Sequence, residues 1–187
     1  MDKIKIVENF IEPQCAQTLI NEMMNPSSVE PYPEYWRERN GFEERSGGSA
    51  IPYNPVTRAV MRKYAEKANR IQEEHFKTDK PVIVTKSFGS WWNPGGKGNP
   101  HIDAIEKEPF IEYSCVIYLN DEYEGGEIYF PHKNFSLKPK KYSAIFFPGN
   151  SKEYEHGVSE VTSGTRQTAL FMQSTKSEFI DPDYEGC

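Results

Sequence analysis

The sequence predicts a mainly β protein with a helical flank, and three observations carry that expectation. From Pro81 to Thr175 the chain is a series of short apolar or alternating runs separated by turn residues, as in an antiparallel sandwich or barrel. Aromatic residues make up 13% of the 187 residues, which suits a pleated, half-buried surface. Before Pro81, the apolar residues Val56, Val60, Tyr64, Ala68 and Ile71 recur every three or four positions and form one helical stripe.

Taken in order, Lys3–Val7 alternates charged and apolar residues and predicts a short strand. Pro13 starts a helix that runs to Met24, where Asn25-Pro26 stops it. Residues 26–53 are rich in Pro, Gly, Tyr and Arg and predict a long loop with one short strand. Within it, residues 32–39 form a candidate lid, with surface coil as the plainer reading. A second helix is predicted from Pro55 to Phe76. The strands then follow as VIVTKSF, IEYSCVIYL, GGEIYF, YSAIFF and TALFMQ, and Tyr118–Asp121 followed by Glu124–Pro131 with its Gly-Gly turn predicts a hairpin-like unit. The expected organisation is one domain: residues 1–80 support, 81–175 form the functional core, and 176–187 are a loose tail.

Composition narrows the function classes. Charged residues are 27% and apolar residues 36%, as in globular proteins, and the net charge of −6 counts against nucleic-acid binding. Cys15, Cys115 and Cys187 are odd in number and widely spaced, which argues against a disulfide framework and for a reducing compartment. With no signal peptide and no membrane-spanning run in the sequence, the expected location is cytoplasmic.

The chemistry-bearing motif is His101-Ile102-Asp103. On a strand, residues two apart share a face, so an imidazole and a carboxylate would stand side by side. His156 follows late in the β region, and two His plus one carboxylate is the donor set of non-haem Fe(II) oxygenases. An isolated His-x-Asp is more often a surface pair. His75 and His132 are expected to be solvated. Arg166 shifts the balance: it lies ten residues after His156, on a strand whose Arg166, Thr168, Leu170 and Met172 share one face. A guanidinium there pairs bidentately with a carboxylate, and Thr168 can add a hydroxyl hydrogen bond. Trp91 and Trp92 open a Gly/Pro-rich loop, residues 91–100, that runs into the metal motif and is a second candidate lid. They are candidate substrate-wall residues, with at least one expected in the core.

Taken together, His101-Ile-Asp103, Tyr118-Leu-Asn120, Gly125-Gly-Glu127, Phe130-Pro131, Lys138-Pro-Lys140, His156 and Arg166 resemble the prolyl 4-hydroxylase-like branch of the 2-oxoglutarate/Fe(II) dioxygenases, bacterial and phage members included. The opening Val7-Glu-Asn-Phe-Ile11 and the helix after it also look like this family. The resemblance spans nearly the whole chain and is strongest over 82–173. It implies a double-stranded β-helix (jelly-roll) fold, iron held by His101, Asp103 and His156, and 2-oxoglutarate chelating that iron. It also implies that Arg166, helped by Tyr118, holds the far carboxylate, with a core aromatic as the equal alternative for Tyr118. O2 is the expected co-substrate, and ascorbate is left open as an auxiliary reductant. Hydroxylation of a C–H bond with release of succinate and CO2 follows, the first choice of substrate being a prolyl residue of a peptide or protein. A free amino acid or other small molecule, a nucleic-acid dealkylation, a cupin-like metalloprotein and a non-catalytic metal-binding β-sandwich are the alternatives. The basic residue is Arg166 where collagen-type prolyl 4-hydroxylases carry lysine, which weakens any transfer of substrate.

Overall fold

The computed structural model describes residues 3–25, 30–31, 38, 47–50 and 54–187. Strand β1 (Lys5–Val7) leads to helix α1 (Pro13–Met23), and β2 (Glu30–Pro31) and β3 (Gly47–Ala50) precede α2 (Pro55–Phe76). Then follow β4 (Ile83–Trp92), β5 (Gly98–His101), β6 (Tyr113–Tyr118), β7 (Tyr123–Gly125), β8 (Ile128–Phe130), β9 (Phe135–Leu137), β10 (Ala144–Pro148), β11 (His156–Val158), β12 (Val161–Gly164) and β13 (Arg166–Ser174).

Both helices obey local chemistry. Each has proline in its first turn, and the Asn54 side chain caps α2 by accepting from the Val56 and Thr57 amides at 3.0 and 2.9 Å. Among the described residues the strands build a seven-stranded sheet ordered β1-β10-β6-β13-β4-β3-β2, a four-stranded sheet ordered β5-β11-β8-β9, and the β12-β7 pair, all paired antiparallel. This is the antiparallel jelly-roll core that the resemblance implied. One face of the large sheet buries Val84, Cys115, Ile117, Phe146, Ala169 and Phe171 against α1 and α2. The other face carries Val116, Tyr118, Ile145 and Phe147, packed with Ile128 and Phe130 of the smaller sheet.

Three expectations change. The hairpin expected from Tyr118 to Phe130 does not form. Strand β6 stays in the large sheet, β7 pairs with β12, and β8 pairs with β11 and β9. Gly125 and Gly126, both at positive φ (70° and 69°), turn the chain between sheets instead of back on itself. The tail is docked, not loose. Tyr184 is buried and its hydroxyl lies 2.6 Å from the Ser87 hydroxyl, while Arg62 donates to the Asp183 and Glu185 carbonyls. His75 is half-buried against Phe76, and burial lowers its pKa. The candidate lid over residues 32–39 lies outside the described residues apart from Glu38.

Candidate metal centre and anion pocket

His101 ends β5, and its Cα pairs with that of His156, which begins β11. Cross-strand partners share a face, and the two rings sit 4.6 Å apart between centroids. Asp103 lies beyond the end of β5, not on the strand as its spacing suggested. It comes to the same place by another route: the Asp103 and Ala104 amides both donate to the Gly149 carbonyl, at 2.9 and 3.0 Å. Its carboxylate then reaches both imidazoles, with Oδ1 3.6 Å from His101 Nε2 and Oδ2 3.8 Å from His156 Nε2.

Both histidines point the same nitrogen at this centre. Nδ1 of His101 is 2.7 Å from the Asn99 carbonyl and Nδ1 of His156 is 3.3 Å from the Tyr154 carbonyl. A carbonyl can only accept, so it selects the Nδ1–H tautomer and leaves the Nε2 lone pair for a cation. Burial pushes the His156 pKa down to about 4, so its ring is neutral near pH 7. Phe147 packs edge-on against that ring at 4.6 Å, and Phe130 lies 5.8 Å away. One ligand atom from each of His101, Asp103 and His156 falls within 4.8 Å of the others. Two imidazoles and one carboxylate, with each Nδ1 already bonded to a backbone carbonyl, fit the donor set for Fe(II).

Arg166 begins β13 and is only 3% exposed. Its guanidinium lies 5.2 Å from the Trp92 ring and 5.1 Å from the Tyr118 ring, and it donates to the Thr168 and Tyr118 hydroxyls at 3.5 and 3.3 Å. Burial raises the Tyr118 pKa and carries that of Tyr123 up to about 12, so both phenols stay protonated beside the cation. Asn120 frames Arg166 from behind. Its amide nitrogen donates to the Thr165 carbonyl at 2.7 Å, and its oxygen accepts from the Gln167 amide at 2.9 Å. Gly126 allows the crowding, because a Cβ there would sit 3.0 Å from both Arg166 Cδ and Tyr123 Cε2.

The inner face of β13 joins the two ends. Arg166 and Thr168 lie at one end, and Met172 at the other contacts Ser114, whose hydroxyl donates to Asp103 Oδ2. The six steps along the strand from Arg166 to Met172 span about 20 Å, and the Arg166 side chain reaches back over Thr168 into that distance. An imidazole–carboxylate cluster with the donors for a cation lies at one end and a buried guanidinium at the other.

Strand β4 separates the two tryptophans. Trp92 pairs with Arg166 and shares its face, whereas Trp91 pairs with Gln167 on the opposite face. Trp91 therefore leaves the candidate site, and both residues belong to a strand end instead of a loop. His132 is exposed and bonded to Glu155 at 2.9 Å, as expected of a solvated residue. Sequence reasoning missed Ser114, Tyr123, Asn120 as a clamp, and the Gly149 carbonyl. Ser114 alone had a signal: it lies four residues before Tyr118, on the same strand face.

Residues 88–172 match the model of the 2OG-Fe(II) oxygenase superfamily. Human prolyl 3-hydroxylase 2 is 38% identical over 77 residues, which is 36% of this chain and 11% of that protein. The chain thus matches about a tenth of the length of such curated relatives. Among solved structures, the viral collagen prolyl hydroxylase of Paramecium bursaria Chlorella virus-1 superposes with a TM-score of 0.66 at 19% identity, covering 91% of this chain and 94% of its own. A prolyl hydroxylase from Trichoplax adhaerens, solved with a peptide fragment of hypoxia inducible factor, gives a TM-score of 0.68 at 15% identity over 96% and 86% of the two chains. Among the described residues no helix is long and apolar enough to cross a membrane.

Proposed function

We propose, from the match of residues 88–172 to the 2OG-Fe(II) oxygenase superfamily, that the chain hydroxylates a prolyl residue of a peptide or protein. In this reading His101, Asp103 and His156 hold Fe(II), and Arg166 with Tyr118 and Thr168 binds the far carboxylate of 2-oxoglutarate. The bound iron, with 2-oxoglutarate and O2, supplies the oxidising power for C–H hydroxylation and releases succinate and CO2.

The protein's own part is placement. The Asn99 and Tyr154 carbonyls fix the two imidazole tautomers. Arg166 offers a buried, planar cation set among the Thr168 and Tyr118 hydroxyls and the Trp92 and Tyr118 rings, and its guanidinium geometry suits a carboxylate. Phe130 and Phe147 shield His156 from water. The observation that carries the reading is the convergence of three ligand atoms within 4.8 Å at the β5–β11 pair of the smaller sheet, with Arg166 buried on β13 of the large one. The prolyl substrate is supported by the prolyl hydroxylases among the similar proteins, a 3-hydroxylase included.

The test is succinate release against a panel of proline-containing peptides and free metabolites, together with the visible spectrum under anaerobic Fe(II) and 2-oxoglutarate. The expected results are a weak charge-transfer band and succinate formation coupled to a proline-containing peptide. No band and no succinate with any compound would overturn the oxygenase reading. Coupling to a free metabolite alone would overturn the prolyl-peptide substrate.

A further inference from the structure

We propose that Ser114 is a positioning residue for the metal site: its hydroxyl holds one oxygen of Asp103 and thereby presents the other to a cation. The proposal rests on the metal-site reading above.

An aspartate bound to a metal has two orientational demands. Its backbone must be placed, and its carboxylate must be turned correctly about a soft, roughly two-fold χ2 torsion. The Gly149 carbonyl, accepting from the Asp103 and Ala104 amides, meets the first demand. It does nothing for the second. Ser114 does: its Oγ donates to Asp103 Oδ2. A serine hydroxyl has one hydrogen. Its other neighbour, Met172 Sδ at 3.8 Å, is a weak acceptor, so the charged carboxylate takes the bond. Oδ2, 3.8 Å from His156 Nε2, is thus engaged by the hydroxyl, and Oδ1, 3.6 Å from His101 Nε2, keeps its lone pairs for a cation. A freely turning carboxylate could offer both oxygens to one cation and occupy a position that a co-substrate needs.

Ser114 can impose this because it cannot itself move. It is 1% exposed, and its strand is paired on both sides, with Phe147 of β10 and Met172 of β13 as cross-strand partners. Its carbonyl accepts from Gln72 Nε2 of α2 at 3.2 Å. Gln72 also donates to Gln173 at 3.0 Å, and Gln173 to Asn69 at 2.7 Å, so buried amides tie this point of β6 to the helix behind the sheet. Space is matched as well: a Cβ on Gly149 would lie 2.7 Å from Ser114 Oγ, so position 149 must lack a side chain for the serine to reach Asp103.

Anaerobic titration of the full chain with Mn(II), followed by electron paramagnetic resonance, tests the assignment without relying on turnover. Wild type, Ser114→Ala and Ser114→Thr are compared, with His156→Ala as the control for the triad and circular dichroism as the check on folding. Removing an outer hydrogen-bond partner of a metal ligand typically weakens metal binding about 10–100-fold, and that loss is expected for Ser114→Ala. Ser114→Thr, which keeps the hydroxyl, is expected to stay within a few-fold of wild type. Wild-type affinity in Ser114→Ala overturns the proposal. Equal weakening, or loss of folding, in both variants assigns the effect to packing and overturns it too. A wild type that binds no better than His156→Ala overturns the metal-site reading itself, and this proposal with it.

Discussion

The two faces of the seven-stranded sheet carry different work. On β13, Ala169 and Phe171 turn toward α1 and α2 and are sealed in the larger apolar cluster. Their neighbours Arg166 and Thr168 turn the other way and carry the candidate anion pocket. Strand β6 repeats the division, with Cys115 and Ile117 toward the helices and Ser114 and Tyr118 toward the site. The lesson is that one strand can be rigid and functional at once, because successive side chains leave on opposite sides. Packing behind the sheet fixes the backbone that aims the polar groups in front of it.

That division can be broken by experiment. The largest effect belongs to the metal triad: Asp103→Ala or His156→Ala is expected to abolish turnover, measured as succinate release, while the metal-free proteins remain folded by circular dichroism. Next comes the helix-facing side. Phe171 is fully buried, and Phe171→Ala is expected to lose about 3–5 kcal/mol of stability in urea titration. Wherever that variant is still folded, its 2-oxoglutarate requirement should match wild type. A large rise there would show that the two faces are not separable. Arg166→Ala should do the reverse, raising half-saturation by 2-oxoglutarate about 10–100-fold, as expected for losing charge-assisted hydrogen bonds of about 1.5–3 kcal/mol. The smallest change is Tyr118→Phe, which removes one neutral hydroxyl and should raise the 2-oxoglutarate requirement only a few-fold. An unchanged requirement in that variant would make Tyr118 a packing residue, the alternative its burial also allows.

Much of this site was legible because its signals are local. The period-two pattern of β13 put Arg166 and Thr168 on one face, and the structure keeps them there. The donor types at 101, 103 and 156 marked the triad before any contact was known. Other signals misled because they assumed that one element continues. His101 and Asp103 are two apart, yet only His101 is on β5, and Asp103 is placed by a hydrogen bond to a loop 46 residues away. Trp91 and Trp92 read as a pair, but a strand separates neighbours to opposite faces. The acid-rich tail read as loose because its anchors, Arg58, Arg62 and Ser87, lie far back in the chain.

The sequence alone determined the β-rich core, both helix starts, the residue types of the candidate triad and the strand face on which Arg166 lies. Each follows from short-range chemistry: strand alternation, proline in a first turn, and the donor atoms a side chain owns. Only the tertiary structure decided that β6 and β8 enter different sheets, that Trp91 leaves the site and that Ser114 meets Asp103. Those outcomes depend on how the sheets pack and on backbone bonds between distant segments, and no local pattern of residues encodes such a pairing.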